Sequence, residues 1–139
     1  QIPCPAHPSG PVPGHTPDAV ALLDAKNGLL FTGDTFYDDN LWLFSPETNL
    51  DDYSNTIDRL VQVENKIQYL FGAHTTARVD AGRLALVKTS LQKLRSGSEK
   101  PVKEIGERQI YQIDGINFVT SKAALEGKQI DIKKGASGL

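Results

Sequence analysis

Three short stretches of this chain, 19–23, 29–32 and 67–71, are apolar runs rather than alternating ones. Strands of that kind are usually covered on both faces. Two helical stripes accompany them: Leu50, Tyr53, Ile57, Leu60 and Val61, then Leu84, Val87, Leu91 and Leu94, each spaced by three or four residues or their multiples. With a closing pair of strands the order reads β-β-α-β-α-β-β, an α/β chain. Two amphipathic helices cover one face of such a mixed sheet. The other face calls for a further layer, from a second chain or an N-terminal half, unless the N-terminal arm and the C-terminal hairpin cover it.

Local signals fix the ends of these elements. Asn49 is the expected N-cap of the first helix, with Asp51 and Asp52 in its first turn. Asp80 is the expected cap of the second, and Gly97 the residue that closes it. Asn27-Gly28 and Asp114-Gly115 are hairpin signals, the second between strands at 109–113 and 116–120. Six of the eight prolines lie within residues 1–18, which reads as an extended arm leading into a loop. Residues 19–120 form the body, and 121–139 a polar, Lys-rich tail whose ending, Gly135-Ala136-Ser137-Gly138-Leu139, reads as disordered or appended.

Composition removes several classes of function. Lys plus Arg is 15 against 17 for Asp plus Glu, without the basic excess that non-specific nucleic-acid binding needs. The Lys-rich stretch 122–134 has few interleaved aromatics and reads as solvated. No apolar run approaches the roughly 20 residues of a membrane span. One cysteine, Cys4, excludes an intrachain disulfide framework and favours a cytoplasmic setting. The chain has no methionine and starts at Gln1, so its N-terminus is not expected to be a native start.

The residues able to carry chemistry are few. His15 lies in Pro13-Gly14-His15-Thr16-Pro17, before a strand. Asp34 and His74 each follow a strand directly, in Thr32-Gly33-Asp34-Thr35 and Gly72-Ala73-His74-Thr75. Loops at the carboxyl ends of strands converge on one sheet edge, where sites form. Two imidazoles and a carboxylate suit a borderline metal. Their separations of 19 and 40 residues carry no local metal signature, and on pattern alone the plainer reading is a surface histidine, a helix-capping aspartate and a satisfied histidine near a sheet edge. Cys4 and His7 have a C-x-x-H spacing, weighed against an unremarkable terminal arm. Asp38 and Asp39 follow the Asp34 loop, either lining a site or forming a solvated turn. Trp42, Leu43 and Phe44 are a pocket wall or packing under the first helix. Arg78 and Arg83 are anion contacts or surface charges.

Pro13-Gly14-His15-Thr16-Pro17-Asp18, Leu29-Leu30-Phe31-Thr32-Gly33-Asp34-Thr35 and Leu70-Phe71-Gly72-Ala73-His74, in that order, resemble the C-terminal half of the metallo-β-lactamase-fold hydrolases. The resemblance covers roughly residues 12–120. It implies half of a four-layer αββα sandwich. It also implies His15 as a ligand of one metal, His74 as a ligand of a second, and Asp34 as the bridge between them and the catalytic carboxylate. Family members usually hold two zinc ions, which activate water for attack on an ester, lactone, thioester, amide or phosphodiester of a small-molecule substrate.

The chain departs from that pattern in one large way and two small ones. The His-x-His-x-Asp-His segment that supplies most ligands in the family has no counterpart here. Asp18 and Thr75 stand where many members have glycine. The expectation is therefore a truncated or half-length chain, inactive alone, completed by a homodimer partner or a missing N-terminal half. The alternative is a non-catalytic half-domain that serves homodimerisation or another interaction. No substrate-binding residue is assigned.

Overall fold

The computed structural model describes residues 9–128. Its strands are β1 (Ser9–Pro11), β2 (Val20–Asp24), β3 (Leu29–Gly33), β4 (Asn40–Trp42), β5 (Tyr69–Gly72), β6 (Val79–Asp80), β7 (Lys103–Ile105), β8 (Arg108–Ile113) and β9 (Ile116–Thr120). The helices are α1 (Leu50–Gln62), α2 (Arg83–Ser96) and α3 (Lys122–Leu125). The strands expected in one mixed sheet divide into two. One runs β1-β2-β3-β5-β6 and the other β4-β9-β8-β7. Pairing is parallel between β3 and β5 and between β4 and β9, and antiparallel elsewhere. No described helix is long and apolar enough to cross a membrane.

Both helical stripes are core. Tyr53 and Ile57 of α1, and Leu84, Val87, Leu91 and Leu94 of α2, are buried. The helices pack on each other, and α2 also packs on β8 and β9. Asn49 caps α1 through its side chain, which accepts the Asp52 N–H at 3.0 Å. Gly97 closes α2 with a left-handed φ of 77°. Asp80 does not cap α2. It pairs in β6 with Tyr69, and the helix starts at Arg83 behind Gly82.

Two other expectations shift in detail. Asn27-Gly28 is not a two-residue turn, because β2 and β3 are joined by residues 25–28. The Asp24 carboxylate orders that loop, accepting from the Asn27 backbone and side-chain amides at 3.2 and 2.7 Å. Asp114-Gly115 is the tight turn its sequence announces, with φ of 52° and 82°. The proline-rich arm contributes β1 at a sheet edge, where proline's missing donor is tolerated. At the start of the polar tail, Ser121 caps α3 and Ala124 is buried. The tail beyond Lys128, and Cys4 and His7, lie outside the described residues.

The three apolar strands are covered on one face. Ala21, Leu30, Thr32 and Leu70 point inward and are buried. Val20, Leu22 and Phe31 point outward and remain 55%, 46% and 42% exposed. The second sheet does not cover them, so double-sided burial is not met within the described residues.

Candidate functional site

The loop carrying His15 is docked on the start of α1. Gly14 has a φ of +139°, and a Cβ there would lie 2.3 Å from the Tyr53 Cα, so only glycine lets the loop approach this closely. The Asn49 N–H donates to Gly14 O at 2.8 Å, and the Thr56 hydroxyl to Pro13 O at 2.7 Å. Ser45 and Thr48 hydroxyls both donate to His15 O. These bonds satisfy a buried, irregular backbone that has no sheet partner.

Asp34 and His74 follow the parallel neighbours β3 and β5. The Ala73 N–H donates to Gly33 O at 3.0 Å, tying the two loops together one residue before each functional side chain. Segment 36–37 then crosses the end of β5. A Cβ on Gly72 would meet Phe36 O at 2.6 Å and Tyr37 Cβ at 2.7 Å, so glycine is the residue that admits this crossing.

The fold brings His15, Asp34 and His74 together. His74 Nε2 lies 2.7 Å from Asp34 Oδ1, and His15 Nε2 lies 4.0 Å from Asp34 Oδ2. Each imidazole thus addresses its own carboxylate oxygen. His15 is the more enclosed, with 15% of its side chain exposed against 58% for His74. Its Nδ1 lies 2.5 Å from Trp42 O, an acceptor without a proton, so Nδ1 carries a hydrogen and Nε2 is the nitrogen turned toward Asp34. A depression of about 230 Å³ adjoins, lined by His15, Thr16, Val20, Thr32, Asp34 and Thr35 among others. Thr35 Oγ1 is buried without a hydrogen-bond partner among the described residues.

This donor chemistry fits part of a metal site. A neutral imidazole whose other nitrogen is held by a carbonyl is the usual ligating form. The set is incomplete: among the described residues, no group of three or more His, Cys, Asp or Glu side chains is disposed around one cation position. Each histidine shares only Asp34, which makes two donors per position where a catalytic zinc typically has three.

The remaining candidates divide. Arg83 pairs with Asp38 at 2.9 Å, beside the Asp34 loop, and Asp39 is exposed. Arg78 lies over the Tyr69 ring, 4.5 Å from its centroid. Leu43 and Phe44 are buried packing, whereas Trp42 reaches the site through its backbone carbonyl. Thr75 adopts a φ of 62°, which glycine takes freely and a β-branched residue does not. Its Oγ1 lies within reach of the Asp38 and His74 carbonyls, at 3.2 and 2.7 Å. Asp18 is not among the positive-φ residues, so its replacement of glycine asks nothing of the backbone.

Sequence reading passed over Tyr37. Its ring meets His74 edge-on at 4.9 Å, and its hydroxyl donates to Asn40 O at 2.7 Å while accepting the Trp42 N–H at 3.1 Å. Burial raises its pKa, the bond to Trp42 lowers it, and the Asp34 and Asp39 charges raise it further, with a net upward result. An aromatic three residues past an acidic candidate was the only signal for it.

The family model described as "Metallo-beta-lactamase superfamily" matches residues 2–85, and the chain belongs to that superfamily. Acyl-coenzyme A thioesterase MBLAC2 of Homo sapiens is 33% identical over 55 residues, 40% of this chain and 20% of that protein, as is its Bos taurus counterpart. Among solved structures, DIM-1 metallo-beta-lactamase aligns with a TM-score of 0.54 at 22% identity, over 64% of this chain and 42% of its own. The metallo-beta-lactamase family protein TTHA1429 of Thermus thermophilus gives 0.54 at 22%, over 65% and 31%. A metallo-beta-lactamase from Pontibacter korlensis gives 0.52 at 25%, over 62% and 42%. The aligned part therefore spans less than half of each relative.

Proposed function

We propose that this chain supplies one half of a metal-dependent hydrolase site. The observation that carries the reading is the meeting of His15 and His74 on opposite oxygens of one carboxylate, Asp34. His15 and His74 would each hold one cation, most readily zinc, and Asp34 would lie between them. Bound cations would acidify a water and polarise the substrate's carbonyl or phosphoryl oxygen. The chain's own residues do the rest. Trp42 O holds the His15 proton on Nδ1, and the depression beside Asp34 offers room for the reacting group of a small molecule. The further ligands would come from outside the described residues, and the outward face of β2 and β3 is where their supporting layer would pack. On this reading the chain alone is inactive. The low cysteine count supports a cytoplasmic setting.

The substrate class is an ester, lactone, thioester, amide or phosphodiester. The thioesterase name of MBLAC2 makes an acyl thioester the first assay. The reading is tested by light scattering joined to elemental analysis of the purified chain and of Asp34→Ala. The expected result is transition metal bound by the wild type and lost from the variant. Equal metal in both proteins overturns it.

Exposed Val20, Leu22 and Phe31 support a second reading, a non-catalytic half-domain that pairs with another copy. A dimer without metal, unchanged by Asp34→Ala, is the result that reading expects.

A further inference from the structure

The two candidate imidazoles come from loops nearly sixty residues apart in the chain, yet one side chain reaches toward both. Tyr37 is buried at 7% exposure. Its ring stands at 77° to the His74 ring, with centroids 4.9 Å apart, which limits how that imidazole can turn. Its hydroxyl works on the other side. It accepts the Trp42 N–H at 3.1 Å and donates to Asn40 O at 2.7 Å, closing residues 37–42 into a strap. The strap ends at Trp42, whose carbonyl lies 2.5 Å from His15 Nδ1. The phenol thus holds the N–H of the residue whose carbonyl meets His15, while the Leu43 N–H in that carbonyl's own peptide unit donates to Val119 O at 2.8 Å.

The strap is held at its start as well. Phe36 O accepts the buried Thr32 hydroxyl at 2.7 Å, and Phe36 and Tyr37 cross Gly72 at a distance that leaves no room for a Cβ. Arg83 anchors the Asp38 carboxylate at 2.9 Å. Neither contact requires a phenolic hydroxyl at position 37. A phenylalanine would fill the same volume, so the hydroxyl's distinct work is the bond to Trp42 N and Asn40 O.

We propose that Tyr37 is the positioning residue that sets both imidazoles about Asp34: His74 through its ring, His15 through its hydroxyl and the Trp42 carbonyl. The proposal deepens the metal-site reading by naming what orients its ligands. Its first readout needs no metal. Groups that orient metal ligands from behind typically contribute about 10–100-fold in affinity.

Two variants separate the two arms. Tyr37→Phe keeps the ring and removes the hydroxyl, and Tyr37→Leu removes both. Tyr111→Phe is the control, because that hydroxyl donates to Gln109 Oε1 at 3.1 Å in the second sheet. The measurement is imidazole 15N NMR on the metal-free chain, at a pH where both rings are neutral, followed by zinc titration. In Tyr37→Phe, His15 is expected to change from one Nδ1–H tautomer to a mixture while His74 keeps its signals. Zinc affinity falls about tenfold or more. In Tyr37→Leu both histidines change. In Tyr111→Phe neither does. The proposal is overturned if Tyr37→Phe leaves the His15 tautomer as Tyr111→Phe leaves it. If the tautomer shifts as expected but wild type binds no zinc, the positioning role stands and the metal reading falls.

Discussion

The five-stranded sheet has two faces built from the same strands, and they differ in what they meet. On the inner face Ala21, Leu30, Thr32 and Leu70 are all buried, and residues of α1 line the same region. On the outer face Val20, Leu22 and Phe31 are about half exposed, with Phe31 stacked on Phe71 at 5.2 Å. Strand residues alternate between faces, so neither face can be changed by moving the other's side chains. The inner face therefore carries the chain's own stability. The outer face carries apolar residues whose burial needs something beyond the described chain. The Asp34 and His74 loops leave this sheet at the ends of β3 and β5, so the site stands on the strands that separate the two environments.

The largest effect is expected on the inner face. Leu70 is fully buried at the centre of β5, between β3 and β6. Leu70→Ala removes apolar atoms and leaves a cavity, for a loss of about 2–5 kcal/mol in urea unfolding. A loss below about 1 kcal/mol would erase the distinction between the faces.

A smaller effect tests the same side without changing the apolar packing. Tyr53 of α1 is fully buried, and its hydroxyl donates to Thr35 O at 2.7 Å. Burial is the main cause that drives its pKa far above the ordinary 10.0, with the Tyr37 charge adding to it. The unfolded chain ionises this phenol near its ordinary value and the folded chain does not. Stability is then unaffected by this group below that value and declines as pH rises above it. The expected loss is about 1.4 kcal/mol for each further pH unit, until the folded phenol also ionises. Tyr53→Phe should flatten that alkaline slope in denaturation curves, and an unchanged slope would assign it elsewhere.

Legibility from sequence followed the same division. The stripes of α1 and α2 were readable because a face buried against one neighbour repeats every three or four residues over several turns. Asp114-Gly115 was readable because its backbone needs are local. β4, β6 and β7 were not, since two or three residues carry no period. Asp80 looked like a cap because a carboxylate before an apolar stripe usually is one, and pairing with Tyr69 took it into a strand instead. Of the site, His15, Asp34 and His74 stood out by their loops at strand ends, and the family resemblance supplied their roles, because their separations hold no pattern. Tyr37 carried no signal beyond its place after Asp34, because its contact with His74 exists only once the loops after β3 and β5 meet.

The smallest effect is the most informative about the outer face. Leu22 is 46% exposed on β2. Exposed sites away from special features usually change stability by no more than about 0.5 kcal/mol. Leu22→Ala should therefore unfold within that margin of wild type, at every protein concentration, if the outer face is bare in solution. If a second copy covers it, the same substitution removes buried area and costs about 1 kcal/mol or more. That cost would shrink on dilution, because a dimer's stability depends on protomer concentration. Measuring Leu22→Ala beside Leu70→Ala across a hundredfold concentration range thus separates the faces. Leu70 should keep its cost throughout, and a concentration-dependent cost at Leu22 would mean that the apolar face is an interface rather than an open surface.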